Sequence, residues 1–281
     1  MDVFISDSRI DQLIAEDLPY IDLTTEVLGI GSEPGEIEFF TREECVLSCV
    51  EEAGRMMERL GVAPTFSLPS GTTCRPGDVF LRGEGTAAAL HRAWKVCLTT
   101  VDHYSAVATK TRKMVEAAHA ANPRCEILTT RKSMPGARDL LVKAVTTGGA
   151  FPHRLGLSET VLVFDNHVEF LGGFDELVRR IPAFRSKCIE KKLFVEVEAD
   201  MARACAEAGA DGLQLDKMEP GDLARLVGEL KRDYPHVTLI AAGGINADNV
   251  AEYAATGVDG LATTAPFTAR PVDMSVKMRR L

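Results

Sequence analysis

With 281 residues, 46% of them apolar and only 6% aromatic, the chain has room for one large or two moderate domains around a core built mainly from Ala, Val and Leu. A formal net charge of −9 argues against nucleic acid or an acidic membrane as partner, while leaving room for a small anion held by local cations. No apolar run approaches the ~20 residues of a membrane span. The acidic opening MDVFISDSRIDQLIAEDL has no signal-peptide pattern, and the seven cysteines include no Cys-x-x-Cys pair. These features lead us to expect a cytoplasmic protein with reduced thiols, Cys45 and Cys49 serving as small buried hydrophobes rather than a metal pair.

Residues 1–108 read as an N-terminal α+β domain. SDSRIDQLIAEDL is an amphipathic helix with Ser or Asp available to cap it. GEIEFFTREECVLS alternates like a strand, VEEAGRMMERLG is a helix with a glycine stop, and PTFSLPSGTTCRPGDVFLRGEGT is turn-rich and strand-like. From Thr86 to about Ala121 helical periodicity runs almost without a breaker and ends at Asn122-Pro123. That length suggests two helices with a bend near Val101.

Residues 109–264 read as a β/α barrel, TIM-like and either open or of six to seven strands. Six short apolar strands are separated by helical patterns: ILTT, VLVF, LFVEV, GLQL, TLIAA and GLA. In such a barrel all strand C-termini open on one face, which holds the active site. Residues 265–281 read as a loop and a final strand or short helix that returns to the first domain.

The strand ends carry the chemistry. Arg131 and Lys132 follow the first strand and precede a turn marked by Pro135; a planar fork beside a point charge suits a carboxylate, phosphate or pyrophosphate. Gly148-Gly149 permits close backbone approach, and His153-Arg154 adds donors. His167, after Asp165 and Asn166, can support the site from behind. Glu198 and Asp216 end successive strands, so their carboxylates should be neighbours. Carboxylates placed so can bind ribose hydroxyls, hold Mg²⁺ through water, or stabilise an oxocarbenium charge. Glu196 points the same way by strand parity but lies deeper, where it can partner Lys132 or Lys217. Gly243-Gly244, before a helix, offers backbone amides to a phosphate, and Thr263-Thr264 can complete that cup.

In this order, TTRKSMPGARDLL, GGAFPHRLGL, FDNH, VEVE, GADGLQLDKM and AAGGIN resemble the quinolinate (nicotinate-nucleotide) phosphoribosyltransferase family, and IAEDLPYIDLTT and TREECVLS resemble its N-terminal domain. The resemblance implies transfer of phosphoribose from phosphoribosyl pyrophosphate to a pyridine nitrogen with Mg²⁺, in a homodimer whose sites are completed by the partner's N-terminal domain. It places Arg131, His153 and Arg154 around the heterocycle's acidic group, Lys132 at phosphate or pyrophosphate, Glu198 and Asp216 at ribose hydroxyls and metal, and Gly243 and Gly244 at the 5′-phosphate.

The departures point to a branch of that family. Where quinolinate enzymes carry Lys before Asp-Asn-His, this chain has Phe164. A Glu-Arg pair on the long helix becomes Trp94-Lys95, which keeps a charge and loses the fork. Ala242 and Ile240 replace a Ser and a Glu, and TTAPFTA replaces the terminal pattern. These changes resemble the ModD branch, associated with molybdenum utilisation. The expected function is therefore a phosphoribosyltransferase (pyrophosphorylase) acting on an N-heterocycle other than quinolinate. Two alternatives stay open: a quinolinate enzyme in which Lys95 or a partner cation replaces the missing lysine, and a non-catalytic oxyanion- or nucleotide-binding accessory protein.

Overall fold

A computed structural model describes residues 3–281. In chain order it has α1 (Asp7–Asp17), α2 (Leu23–Leu28), β1 (Pro34–Thr41), β2 (Cys45–Val46), α3 (Val50–Arg59), β3 (Ala63–Ser67), β4 (Thr73–Cys74), β5 (Val79–Thr86) and α4 (Ala87–Ala121). There follow β6 (Glu126–Thr129), α5 (Arg138–Gly148), β7 (Phe151–Pro152), β8 (Val161–Val163), α6 (Asp165–Leu171), α7 (Phe174–Ser186), β9 (Leu193–Val197) and α8 (Ala199–Glu207). The chain ends with β10 (Gly212–Asp216), α9 (Pro220–Asp233), β11 (Thr238–Ala242), α10 (Val250–Ala255), β12 (Gly260–Thr263), a 3₁₀ turn at Ala265–Thr268 and β13 (Met274–Arg280). The fold is mixed α/β: a small N-terminal sheet domain and a half-barrel.

The first compact unit takes the chain up to Arg112 together with Met134–Gly149 and Pro266–Leu281. Its sheet runs β13-β1-β5-β3, and the C-terminal strand β13 pairs antiparallel with β1 from Gly35↔Arg280 to Thr41↔Met274. Ser6 caps α1 by accepting the Arg9 amide at 3.2 Å. Helix α5 belongs to this unit because a buried lysine holds it on α3: Lys143 Nζ donates to Glu52 Oε2 at 2.6 Å and Glu51 Oε2 at 2.9 Å. Burial pushes the Glu51 carboxyl up, but hydrogen bonds from the Ser70 hydroxyl and amide, and from Lys143, outweigh it and hold the group down at about 2.

The stretch expected to split near Val101 is one helix, α4, 35 residues long. It contains neither Gly nor Pro. Its mid-helix hydroxyls bond back within the helix, Thr100 to Val96 O at 2.7 Å and Thr111 to Val107 O at 2.7 Å, a pattern that can bend a helix without ending it. Buried Ala93, Cys97, Val101, Ala108, Met114 and Ala118 run along its length, and packing of this kind sustains a helix well beyond its intrinsic propensity.

The second unit, Lys113–Ser133 and Ala150–Ala265, is a seven-stranded parallel sheet in the order β7-β6-β12-β11-β10-β9-β8. It forms a half-barrel rather than a closed ring, with β7 and β8 at its edges. The six sequence-predicted strands are all present. The seventh, β7, is two residues long and includes Pro152, so no apolar run announced it. Alternation sends Leu193, Val195, Leu213, Leu215, Leu239 and Leu261 to one face, all fully buried. The other face carries Leu162, Phe194, Ile240, Ala242 and Ala262, packed with Leu128 and Phe164.

On that second face Phe194 stands opposite Gly212 in register. A Cβ at Gly212 would fall 2.2 to 2.6 Å from Phe194 ring carbons, so the ring occupies the space over the glycine. Gly212→Ala should therefore destabilise the chain by about 1–3 kcal/mol through overpacking, measured as a lowered urea midpoint at unchanged slope. An unchanged midpoint would mean that the ring swings aside freely and does not set this layer.

Candidate active site

Because every strand of the half-barrel is parallel, the residues after each strand gather at one edge. Arg131-Lys132 follow β6, His153-Arg154 follow β7, Phe164 follows β8, Glu198 follows β9, Gly243-Gly244 follow β11 and Thr264 follows β12; Asp216 and Thr263 are the last residues of β10 and β12. All lie in the second unit. Lys95 lies on α4 in the first unit, its Nζ 4.5 Å from the centre of the Trp94 ring.

Cations crowd one end of this edge. Burial, then the charge of Arg131, pushes the Arg154 guanidinium down from its ordinary value, and Glu159 offsets part of this. The Arg154 guanidinium carbon sits 5.8 Å from the centre of the Phe164 ring, within reach of a cation–π contact, and Nη1 donates to Thr160 O at 3.5 Å. Phe164 in turn stacks on His167, with ring centres 5.9 Å apart. The Phe164 amide donates to His167 Nδ1 at 3.0 Å, which makes Nδ1 the acceptor and leaves the proton on Nε2. His167 thus anchors the start of α6 and backs the aromatic ring.

Carboxylates hold the middle. The strand pairing ends at Leu215↔Val197, and Asp216 and Glu198 are the residues that come next on the two neighbouring strands. Glu198 is exposed at the start of α8 and its side chain makes no capping bond. Glu196, a level deeper, accepts from the Gln214 amide nitrogen. Burial raises its carboxyl above the ordinary range; the Gln214 bond opposes this, the charges of Asp216 and Asp165 add to it, and Lys132 opposes it. Sequence reasoning placed Glu196 beneath the site and sought a lysine partner; its direct partner is Gln214, two residues before Asp216 on the next strand. The alternation of LFVEVE and GLQLD was the signal that could have paired them.

The glycine end is tightly specified. Gly243 and Gly244 have φ of +90° and +70°. A Cβ on Gly243 would fall 2.6 Å from Lys217 Cγ and 2.9 Å from the Lys217 nitrogen, so only glycine fits. The helix expected directly after this pair begins only at Val250, and the Asn246 and Asp248 amides are taken by the Asn249 and Asn246 side chains, each at 2.8 Å. Those two amides therefore serve the turn itself. The Thr263 hydroxyl is likewise committed: it donates to Ile245 O at 2.6 Å and accepts the Ala265 amide at 3.0 Å. Thr263 braces the glycine loop, leaving half-buried Thr264 as the other hydroxyl of this pair.

Among the described residues no three His, Cys, Asp or Glu side chains converge on a metal position. Mg²⁺ commonly needs only one or two carboxylates beside water and substrate phosphates, and Asp216 with Glu198 fits such a partial set.

Burial, then the nearby Arg154 charge, pushes His153 below its ordinary value. A folded-state value below the unfolded one means that neutral His153 stabilises the fold above the unfolded value and that this contribution is lost as pH falls. A carbon-detected NMR titration should show His153 protonating below 6.5, with Arg154→Ala restoring only part of the shift because burial is the larger cause. Protonation at or above the ordinary value would mean that the imidazole faces open water.

Known proteins place this geometry. The model of the quinolinate phosphoribosyl transferase C-terminal domain matches residues 107–277, and that of its N-terminal domain matches residues 22–105. A Rhodobacter capsulatus protein named "Putative pyrophosphorylase ModD" is 42% identical over 88% of this chain and 95% of its own. A Methanothermobacter thermautotrophicus protein named "Probable nicotinate-nucleotide pyrophosphorylase [carboxylating]" is 34% identical over 97% of this chain and 98% of its own. Among solved structures, the nicotinate-nucleotide pyrophosphorylase of Ehrlichia chaffeensis superposes with a TM-score of 0.87 at 25% identity, covering 98% of this chain and 99% of that one. NadC from Streptococcus pyogenes shares the fold, with a TM-score of 0.89 at 23% identity over 100% of both chains. The chain belongs to the quinolinate phosphoribosyl transferase family and is a phosphoribosyltransferase.

Proposed function

We propose that the chain transfers phosphoribose from phosphoribosyl pyrophosphate to the ring nitrogen of an N-heterocycle other than quinolinate. The observation that carries this reading is Phe164, whose ring lies under Arg154 where the family resemblance expects a lysine. Quinolinate brings two carboxylates. Arg131, His153 and Arg154 can meet one, but the second would lie against an aromatic ring, and an unpaired buried carboxylate costs several kcal/mol. An acceptor with one acidic group, or none, avoids that cost.

The other residues take the roles that the family likeness implies. Lys132 neutralises the leaving pyrophosphate, Gly243, Gly244 and Thr264 receive the 5′-phosphate, and Glu198 and Asp216 accept the ribose hydroxyls. The bond from the anomeric carbon to the pyrophosphate oxygen breaks with its electron pair on oxygen. Positive charge then develops at that carbon beside Asp216 and Glu198, which favour it electrostatically. The lone pair of the ring nitrogen closes the new bond, and no covalent enzyme intermediate is needed. Mg²⁺, bound through Asp216 and Glu198, would supply charge neutralisation of pyrophosphate.

The proposal extends to a cytoplasmic homodimer in which Lys95 serves a site completed by the partner, and to the link with molybdenum utilisation that the ModD branch suggests. The 34% identity to a protein named as a carboxylating pyrophosphorylase keeps quinolinate as the reading to be tested against.

Pyrophosphate release from phosphoribosyl pyrophosphate and Mg²⁺, across quinolinate, nicotinate and uncharged N-heterocycles, should be fastest with a singly charged or uncharged ring. Phe164→Lys should raise turnover of quinolinate by roughly tenfold or more, since each 1.4 kcal/mol recovered is about a factor of ten. Asp216→Asn should lower turnover of any accepted ring roughly a hundredfold. Quinolinate as the best acceptor of the wild-type chain would overturn the reading.

A further inference from the structure

Asp216 and Lys217 are adjacent in sequence, and on a continuing strand their side chains would leave opposite faces of the sheet. Here they meet. Lys217 has φ +52°, and its Nζ lies 3.1 Å from Asp216 Oδ2. Lys217 is one of two non-glycine residues with positive φ among the described residues. Two contacts with the next strand hold the kink in place. The Lys217 amide donates to Ala242 O at 2.8 Å, and the bare Cα of Gly243 lies against the Lys217 backbone and Cγ.

A residue with a Cβ adopts this backbone at a cost, which is why glycine and asparagine dominate it. The ion pair does not repay that cost, because the lysine side chain is 80% exposed and exposed pairs contribute little. The kink is imposed by its surroundings, and it delivers a mobile ammonium to the carboxylate at the middle of the site. Strain held at a site edge points to a use.

We propose that Lys217 is a donor-binding residue that exchanges partners: in the free enzyme its ammonium rests on Asp216, and when phosphoribosyl pyrophosphate arrives it moves to a pyrophosphate oxygen. The Asp216 carboxylate is thereby released to accept the ribose hydroxyls. The inference rests on the placement of the ribose at Asp216 made above. A lysine suits the exchange, because its charge sits on a flexible four-carbon stem with three rotatable donors and can move while the backbone stays fixed. No covalent bond changes; one ion pair replaces another.

Calorimetric titration with phosphoribosyl pyrophosphate, and separately with inorganic pyrophosphate, in Mg²⁺ buffer tests this without an acceptor. Lys217→Asn keeps a residue tolerant of the left-handed turn and removes the charge, while Lys217→Arg keeps the charge. The Asn variant should bind both probes about tenfold more weakly or worse, with the deficit shrinking at high salt, and Arg should recover most of the loss. Melting temperatures no lower than wild type would show that the Asn variant is folded. Equal affinity of the Asn variant and wild type for pyrophosphate overturns the proposal, even if the donor binds more weakly, because Lys217 would then only orient Asp216. A wild-type chain that binds no phosphoribosyl pyrophosphate would overturn the phosphoribosyltransferase reading itself, and the proposal with it.

Discussion

Parallel pairing in a single register decides which side chains can meet in this molecule. Leu162 stands beside Phe194, and Phe194 beside Gly212. One level up, Glu196 stands beside Gln214, and Gln214 beside Ile240. One level higher, Asp216 stands beside Ala242, and Ala242 beside Ala262. The lowest level is filled by a ring over a glycine and the next by a carboxylate bonded to an amide. The topmost level opens onto the strand ends. A slip of one residue in β10 would send Asp216 to the helix-covered face and Leu215 to the site. The apolar face of fully buried leucines and valines prevents that slip, so the strand-end edge depends on residues that never touch it.

The same economy governs buried charge. Glu196 is given one neutral donor, Gln214, rather than a lysine, and its carboxyl rises above the ordinary range as burial dictates. Lys143 is treated differently: it is nearly inaccessible and bonds two glutamates of α3, so a helix that follows β6 in sequence is held within the first unit. Removing one partner from such a cluster leaves an uncompensated charge, which is costlier than never burying the group. The one polar contact serves the site and the other serves assembly, and the burial of each decides which.

Six strands were legible because ILTT, VLVF, LFVEV, GLQL, TLIAA and GLA are apolar runs bounded by polar or glycine residues, the pattern of strands covered on both faces. β7 was not legible, because two residues including a proline carry no period and are placed by pairing with β6, Phe151 beside Leu128 and Pro152 beside Thr129. An open half-barrel is not deducible from strand count, since closure depends on the two edge strands meeting. The expected split of α4 into two helices does not occur, because the chain there lacks any Gly or Pro to break it. Strand ends can be read from apolar runs, whereas the hydrogen bonds of the residues that follow them cannot. Thr263 looks like a phosphate ligand in sequence, yet its hydroxyl serves two backbone groups. Lys217 reads in sequence as a partner for Glu196, whereas its positive φ turns it onto Asp216.

An acidic chain that handles a highly anionic donor must concentrate its cations. The formal charge of −9 is a property of the whole surface, while screening limits each charge to about 8–10 Å at ordinary ionic strength. At this edge Arg131 and Lys132 follow β6 and Arg154 follows β7, and burial, then the charge of Arg131, depresses the Arg154 guanidinium. Crowded like charges repel one another, and a nearby anion relieves that repulsion. Phe164 sharpens the effect. Its ring offers Arg154 a face instead of a carboxylate, so the guanidinium is held without being neutralised and stays available to a ligand.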